Sequence, residues 1–117
     1  MVEFGSAAWF DRLTSEAASL TIDRSPAVVI EQTVTDPGAG EIDRWHLVVG
    51  AGVTARRGPA TGPTITLMCD RATAAALAEG RDNAQRAIAT GRLRVGGDLG
   101  ALIDVAPQIA ALIGSVR

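Results

Sequence analysis

The sequence predicts an α+β fold, in which a mostly antiparallel sheet of five strands is accompanied by helices. Three features support this prediction: apolar and polar residues alternate in the middle of the chain, apolar residues recur at helical spacing at both ends, and glycine or aspartate marks most junctions. The chain has 117 residues, of which 47% are hydrophobic and 21% charged. These values are typical of one globular domain, expected to span residues 1-117.

The first half of the chain predicts a helix followed by a meander of four strands. Apolar residues at helical spacing predict an amphipathic helix from Glu3 to Leu20. Alternating residues then predict strands separated by turn-forming residues at 36–40, by the reversal Gly50-Ala51-Gly52 and by a loop at 58–63. The four predicted strands cover residues 27–35, 42–49, 53–57 and 64–69.

After the fourth predicted strand, the pattern of apolar residues changes from the alternation of a strand to the spacing of a helix. Asp70 is an expected N-cap for a helix over residues 71–79, which Gly80 ends. Asp82 and Gln85 resemble a capping box that opens a second short helix, ended by Gly91. Residues 92–95 alternate again and predict a fifth strand, reached by a crossover long enough to be of the right-handed parallel type.

The last quarter of the chain predicts two aliphatic helices. Asp98 caps the first, in which residues 99, 102, 103 and 106 share one apolar face. Pro107 suits the first turn of a separate final helix, because its missing N–H has no partner there in any case. In that helix residues 109, 112, 113 and 116 fall on one face.

Composition excludes several classes of protein. The net charge is -2, and the eleven basic residues are arginines dispersed along the chain, which argues against nucleic-acid binding. Cys69 is the only cysteine, so no internal disulfide is possible. No stretch reaches the roughly 18 apolar residues of a membrane span, and Glu3 and Asp11 disagree with an N-terminal targeting signal. A cytoplasmic protein is therefore expected.

Several short runs at the junctions of these elements form a recognisable series: Trp45–Val49, Gly58 with Pro63–Leu67, Leu77 with Gly80, Ala87–Ile88, and Gly91–Asp98 before an aliphatic helix. Their order and spacing resemble the sterol carrier protein family of sterol-binding and lipid-transfer domains, in its stand-alone bacterial form. The resemblance covers nearly all of the chain and is fullest from Arg44 to Leu102.

The resemblance implies a five-stranded sheet covered on one face by helices, with an apolar cavity between them. Such a cavity takes sterols, fatty acids or acyl-CoA-like lipids and uses no metal, cofactor or catalytic group. Two departures stand out. The chain has only four aromatic residues, and Ser115-Val116-Arg117 replaces the C-terminal peroxisomal address of some relatives.

Catalytic patterns are scarce. The chain has one histidine, His46, and one cysteine, Cys69, and no local pattern indicates that they form a catalytic dyad. His46 is expected to be an ordinary strand residue, and Cys69 a small apolar residue of the core. No spacing of histidines, cysteines or carboxylates predicts a metal site. A strand and no helix follows Gly50-Ala51-Gly52, which argues against dinucleotide binding.

The positive signal is aliphatic. By physical reasoning alone an apolar stripe at helical spacing is usually ordinary core, but the family resemblance favours a cavity, which apolar side chains normally line. The predicted ligand-binding residues are Leu67, Leu77, Ile88, Leu99, Leu102, Ile103, Ile109, Leu112 and Ile113.

Two other functions stay open from the sequence. The same aliphatic surface could pack against a second copy or a partner enzyme, as a dimerisation or accessory module with a vestigial cavity. A small enzyme could instead use Glu79, Asp98 or Asp104 as a general acid or base on an apolar substrate. Helix caps and solvated surface positions also account for these three carboxylates.

Overall fold

The computed structural model of the chain describes residues 3–36 and 43–116. Its elements are α1 (Ala7–Ala18), β1 (Asp23–Val34), β2 (Arg44–Arg57), β3 (Ile65–Cys69), α2 (Arg71–Ala78), α3 (Ala84–Ala89), β4 (Leu93–Gly97) and α4 (Leu99–Ser115). This order confirms the α+β class that the sequence predicts.

Helix α1 begins later than the sequence predicts, because Ser6 caps it. The Ser6 Oγ accepts a hydrogen bond from the Trp9 backbone N–H at 3.1 Å, which satisfies one of the free donors of the first turn. The helix buries Trp9, Phe10, Leu13 and Ala17. Its predicted apolar face is therefore confirmed.

Strand β2 doubles back on itself. Its 14 residues would extend about 45 Å if they were straight, yet the Gly58 backbone N–H donates to the Arg44 carbonyl at 2.8 Å. The reversal falls at the predicted glycine turn, where Gly52 has a φ of 81°. With its two arms counted separately the sheet has five strands, as predicted. Residues 37–42, which include most of the predicted 36–40 turn and the start of the predicted 42–49 strand, lie outside the described residues.

The strand order is β2-β1-β3-β4. Strand β1 pairs antiparallel with β2 and parallel with β3, and β3 pairs antiparallel with β4. The predicted meander and the predicted parallel crossover to the last strand are therefore wrong. The chain after β2 instead returns to the free edge of β1, because this register sets Ile65 beside Ile30 and Cys69 beside Val34 in the core.

Local capping defines the two short helices. The Asp70 carboxylate accepts from the Thr73 N–H at 2.7 Å, and Gly80 has a φ of 78°, so both predicted ends of α2 are confirmed. Helix α3 starts one residue later than predicted: its N-cap is Asn83, whose Oδ1 accepts from the Arg86 N–H at 2.8 Å. The capping box at Asp82 is wrong because that carboxylate binds the Arg92 guanidinium instead.

Helix α4 is continuous from Leu99 to Ser115, and Pro107 lies inside it. The prediction of two separate helices is therefore wrong. Proline removes only the hydrogen bond to the Ile103 carbonyl, and Pro107 is exposed, so water can satisfy that carbonyl. The predicted cap is confirmed, since Asp98 Oδ1 accepts from the Ala101 N–H at 3.1 Å.

The two faces of the sheet differ. The face called here the inner face carries the buried residues of every strand, including Ile30, Leu47, Ile65 and Leu93. Helix α1 packs against β2, α4 against β3 and α3 against β4, and α1 also touches α4. The opposite, outer face carries polar and more exposed side chains. This layering confirms a sheet covered by helices on one face.

Candidate functional site

The nine residues that the sequence predicts as ligand-binding separate into three groups by burial. Leu112 is 2% exposed and belongs to the core. Five are half-buried and pack against the margin of the core: Leu67, Leu77, Leu102, Ile109 and Ile113. Three are exposed, namely Ile88 at 46%, Leu99 at 55% and Ile103 at 73%. The structure therefore brings six of the nine to the helical side of the sheet and leaves three at the surface.

The apolar surface of α4 is wider than the area that it buries. An α-helix turns by about 100° per residue, so its side chains can be placed around the axis. Three groups follow one another at intervals of about 80°: buried Ala101, Val105 and Leu112, then half-buried Leu102, Ile109 and Ile113, then exposed Leu99 and Ile103. Apolar surface thus runs without a polar break from the core to solvent along one flank of α4.

On the sheet, Leu67 also lies at the edge of the buried core, on the inner face. Its register neighbours on the inner face are Gln32 on β1 and Val95 on β4. Leu67 and Val95 are both half-buried and pack against the core. The strands β3 and β4 therefore contribute an incompletely covered apolar floor beside α4.

Gln32 and Trp45 place polar groups next to this apolar floor. Among residues 3–36 and 43–116, the Gln32 Nε2 donates only to the Cys69 sulfur, at 3.6 Å, and sulfur is a weak acceptor for an amide. Trp45 is Gln32's register neighbour on β2, is 4% exposed, and its Nε1 has no hydrogen-bond acceptor among the described residues. A buried donor without an acceptor is costly, by roughly 1–3 kcal/mol.

His46 and Cys69 cannot act as a pair. Cys69 lies on the inner face and is 3% exposed, whereas His46 lies on the outer face, where its Nδ1–H donates to the Gly58 carbonyl at 3.0 Å. Burial raises the pKa of the Cys69 thiol, against a smaller opposing effect of the Gln32 hydrogen bond. The neutral thiol is a poor nucleophile, and the sheet separates it from the histidine.

The three candidate acids each have an ordinary structural partner. Asp98 caps α4, Asp104 pairs with Arg24 at 3.1 Å, and Glu79 pairs with Arg81 at 2.9 Å. These interactions are typical of helix caps and of ion pairs at a protein surface. Within residues 3–36 and 43–116, no group of three or more histidines, cysteines and carboxylates could hold a metal ion.

The sequence reasoning missed Val95, Gln32 and Trp45 as site residues. Gln32 could have been found, because alternation along β1 places it on the same face as Ile30 and Val34. Val95 follows from the alternation with Leu93 in the same way. The free indole N–H of Trp45 had no signal in the sequence, because it depends on which acceptors the tertiary structure brings near.

The described helices include none that is both long and apolar enough to cross a membrane.

Comparison with known proteins gives a consistent picture of the fold. The model of a family described as the SCP-2 sterol transfer family matches residues 10–108. A search of curated proteins gave no match.

Several solved structures are similar to this chain. A crystal structure of sterol carrier protein 2 is 22% identical, with a TM-score of 0.68, and 98% of each chain is covered. Sterol carrier protein 2 from Aedes aegypti, solved with palmitate, is 17% identical, with a TM-score of 0.63 over 99% of this chain and 100% of that one. UbiJ-SCP2, titled a ubiquinone synthesis protein, is 18% identical, with a TM-score of 0.51 over 97% of this chain and 80% of the other. These likenesses establish the fold.

Proposed function

The chain belongs to the SCP-2 sterol transfer family, and on that premise we propose that it binds and transfers an apolar ligand without transforming it. The ligand class is a sterol, a fatty acid or an acyl-CoA-like lipid. The proposed site lies between the inner face of the sheet and α4 and is lined by the nine residues that the sequence predicts, together with Val95. The chain would act as one domain in the cytoplasm and need no cofactor.

The graded apolar flank of α4 is the observation that carries this proposal. An ordinary core helix buries its apolar stripe and ends it at a polar border. Here half-buried Leu102 and Ile109 are followed around the helix by exposed Leu99 and Ile103. A hydrocarbon chain lying along this flank would remove that surface from water, at roughly 0.8 kcal/mol for each ligand CH₂ group buried.

Gln32 and Trp45 supply what an apolar site needs to orient a lipid. Ligand sites are mostly apolar but contain a few polar groups that fix the ligand's direction. In the part of the chain that the structure describes, the Trp45 indole N–H lacks an acceptor and the Gln32 amide donates only to a sulfur. We propose that a carboxylate, carbonyl or hydroxyl oxygen of the ligand accepts from one of these donors.

Binding without catalysis fits the chemistry around the proposed site. The Cys69 thiol is buried with a raised pKa, and the carboxylates of Glu79, Asp98 and Asp104 are occupied by ion pairs or by a cap. The inner face thus presents weak hydrogen-bond donors and aliphatic carbon, which hold a ligand but give no nucleophile or general base.

Displacement of cis-parinaric acid, followed by its fluorescence, tests the proposal. We expect the wild-type protein to bind it at micromolar concentration, and Ile109→Trp to weaken binding about tenfold, because the indole would occupy the position that the proposed ligand takes on the half-buried flank of α4. The matched control is Ala111→Trp, which adds the same ring at an exposed position of the same helix. Should Ile109→Trp unfold, as seen by circular dichroism, Leu102→Trp takes its place.

Failure of the wild-type protein to bind any sterol, fatty acid or acyl-CoA at micromolar concentration would overturn the proposal. Native mass spectrometry of the protein purified without denaturation provides a second measurement, since a retained lipid adds its own mass. Equal loss of binding in Ile109→Trp and Ala111→Trp would show that the half-buried flank of α4 is not part of the ligand site.

The second candidate function is an interaction module. Leu99 and Ile103 are exposed apolar residues on one flank of α4, and such surfaces often mark protein contacts. UbiJ-SCP2, which shares the fold, is titled a ubiquinone synthesis protein. Light scattering separates the two functions: a monomer that takes up lipid supports carriage, whereas an obligate dimer without uptake supports the module.

A further inference from the structure

An open cleft of about 440 Å³ lies on the outer face of the sheet, opposite the helices. Its side chains include Thr33, Arg44, Thr66, Met68 and Arg94. Alternation along the strands places these five on the outer face, and the lining also includes Glu31, Gly96 and two residues of the inner face, Leu67 and Val95. The loop over residues 58–63 crosses part of the outer face, where the Ala60 N–H donates to Glu31 Oε2 at 2.7 Å. The adjoining row of side chains is left open to solvent.

Strand register places two arginines at the two ends of that row. Thr33 is opposite Arg44 on β2 and beside Met68 on β3, and Met68 is opposite Arg94 on β4. Neighbouring strands are about 4.8 Å apart, so the two arginine Cα atoms are separated by roughly 14 Å. Both side chains nevertheless line the same cleft. The arginines therefore flank a floor made by Thr33 and Met68.

The charges in this cleft are unbalanced. Neither Arg44 nor Arg94 forms a side-chain hydrogen bond or ion pair with any of the described residues. By contrast, Arg24, Arg81 and Arg92 each pair with a carboxylate. The cleft's carboxylate, Glu31, accepts from the Ala60 N–H and keeps its charge, so two cationic side chains stand against one anionic side chain among the residues that line the cleft. A locally positive cleft thus exists on a chain whose net charge is -2.

The floor of the cleft also offers hydroxyl donors. Gly96 is the register neighbour of Thr66, and a Cβ at position 96 would stand only 2.7 Å from the Thr66 Oγ1. Any larger residue there would crowd the hydroxyl, so glycine keeps it accessible from the cleft. Met68, which is 43% exposed, adds an apolar surface next to the two arginines.

We propose that this cleft binds the phosphate group of a small amphiphile. Arginine recognises phosphate oxygens through its planar fork of donors, and the two guanidinium groups approach from opposite sides while the threonine hydroxyls donate from the floor. Met68 contacts the carbon atoms next to the phosphate ester. This site lies on the opposite face of the sheet from the proposed lipid site, although the segments of β3 and β4 that contain Leu67 and Val95 contribute to both.

Titration of the isotopically labelled protein with butyl phosphate at low ionic strength tests the site. We expect saturable shifts of the backbone amide signals of Thr33, Thr66 and Gly96 in NMR spectra. The double variant Arg44→Gln/Arg94→Gln should bind at least about tenfold more weakly, because two charge-assisted contacts are lost. The matched control, Arg12→Gln/Arg56→Gln, removes the same charge from two exposed positions outside the cleft and should bind as the wild type does.

Sedimentation with vesicles distinguishes a soluble phosphate ester from a lipid headgroup. Binding to phosphatidylglycerol vesicles that depends on Arg44 and Arg94, without binding of butyl phosphate, assigns the phosphate to a lipid. Equal weakening by the two double variants, or an absence of saturable shifts and of vesicle binding, overturns the proposal. Both double variants should keep cis-parinaric acid binding, so this test and that of the lipid site fail independently.

Discussion

Helices α1 and α4 both cover the inner face of the sheet, but they pack against it in different ways. Helix α1 buries Trp9, Phe10 and Leu13 to 5% exposure or less. Helix α4 buries Leu112 but leaves Leu99 and Ile103 more than half exposed. The apolar face of α1 is therefore completely buried in the core, whereas α4 keeps apolar surface exposed to solvent.

Aromatic residues account for much of this difference. All four aromatic residues of the chain, Phe4, Trp9, Phe10 and Trp45, lie at the α1 end. The ring centroids of Phe4 and Trp9 are 4.8 Å apart, and those of Trp9 and Trp45 are 5.6 Å apart, in edge-to-face geometry. Large rings fill the space between α1 and β2. The residues that α4 buries, Ala101, Val105 and Leu112, are aliphatic or small. The aromatic packing therefore stabilises the α1 side of the core, whereas the apolar flank proposed to contact the ligand's hydrocarbon lies on α4.

The largest expected effect is on stability, when a leucine is replaced by alanine in α1 and, for comparison, in α4. Leu13→Ala in α1 should lower the free energy of unfolding by about 3 kcal/mol, because Leu13 is fully buried and a cavity remains. Leu102→Ala in α4 should cost only about 1 kcal/mol, because this side chain is half-buried and leaves less of a cavity. Urea denaturation measures both values. Equal losses would contradict the contrast between the two helices.

The helix caps should have intermediate effects. Asp98→Ala should cost about 1 kcal/mol through loss of the hydrogen bond to the Ala101 N–H. It should also speed hydrogen exchange in the first turn of α4 without changing exchange in α1. Asp70→Ala, at the start of α2, is the control for the general cost of a cap. Unchanged exchange in α4 would show that Asp98 is not needed to hold that turn.

The cap at Asp70 also predicts a pH dependence. The backbone N–H of Thr73 holds the pKa of the Asp70 carboxyl below its usual value of 3.8. A lowered folded-state pKa contributes stability above the unfolded pKa, and that contribution disappears as pH falls through the folded value. The stability difference between wild type and Asp70→Ala should therefore shrink below about pH 4.

The smallest effect on stability is expected at the exposed flank of α4. Ile103→Ser should change the free energy of unfolding by less than about 0.5 kcal/mol, because the side chain is 73% exposed. The same variant should weaken cis-parinaric acid binding about fivefold if the ligand covers this residue. Ala111→Ser is the control on the same helix. A binding change of the same size in both variants would argue against a ligand on the Leu99–Ile103 flank.

Some of the candidate site was predictable, and some was not. Leu67, Leu102, Ile109 and Ile113 follow from alternation and helical spacing, and all are half-buried beside the core. Periodicity identifies an apolar face but not how completely the rest of the chain covers it, so it could not tell buried Leu112 from exposed Ile103.

The sequence by itself determined the local elements. Asp70, Asp98, Gly80 and Gly91 mark helix ends in the structure where their chemistry predicts them, because a cap needs only hydrogen bonds or a positive φ within a few residues. The family, too, was recognisable from the order of these junctions.

Only the tertiary structure decided the pairing of distant segments. It made β3 the parallel neighbour of β1, moved the α3 cap to Asn83, and carried α4 through Pro107. It also brought Arg44 and Arg94 into one cleft. The strand pairing and the cleft join residues that are far apart in the chain, and local propensity and spacing do not encode such contacts. The α3 cap depends on a nearer competition, because Arg92 binds the Asp82 carboxylate and leaves Asn83 to accept from the Arg86 N–H.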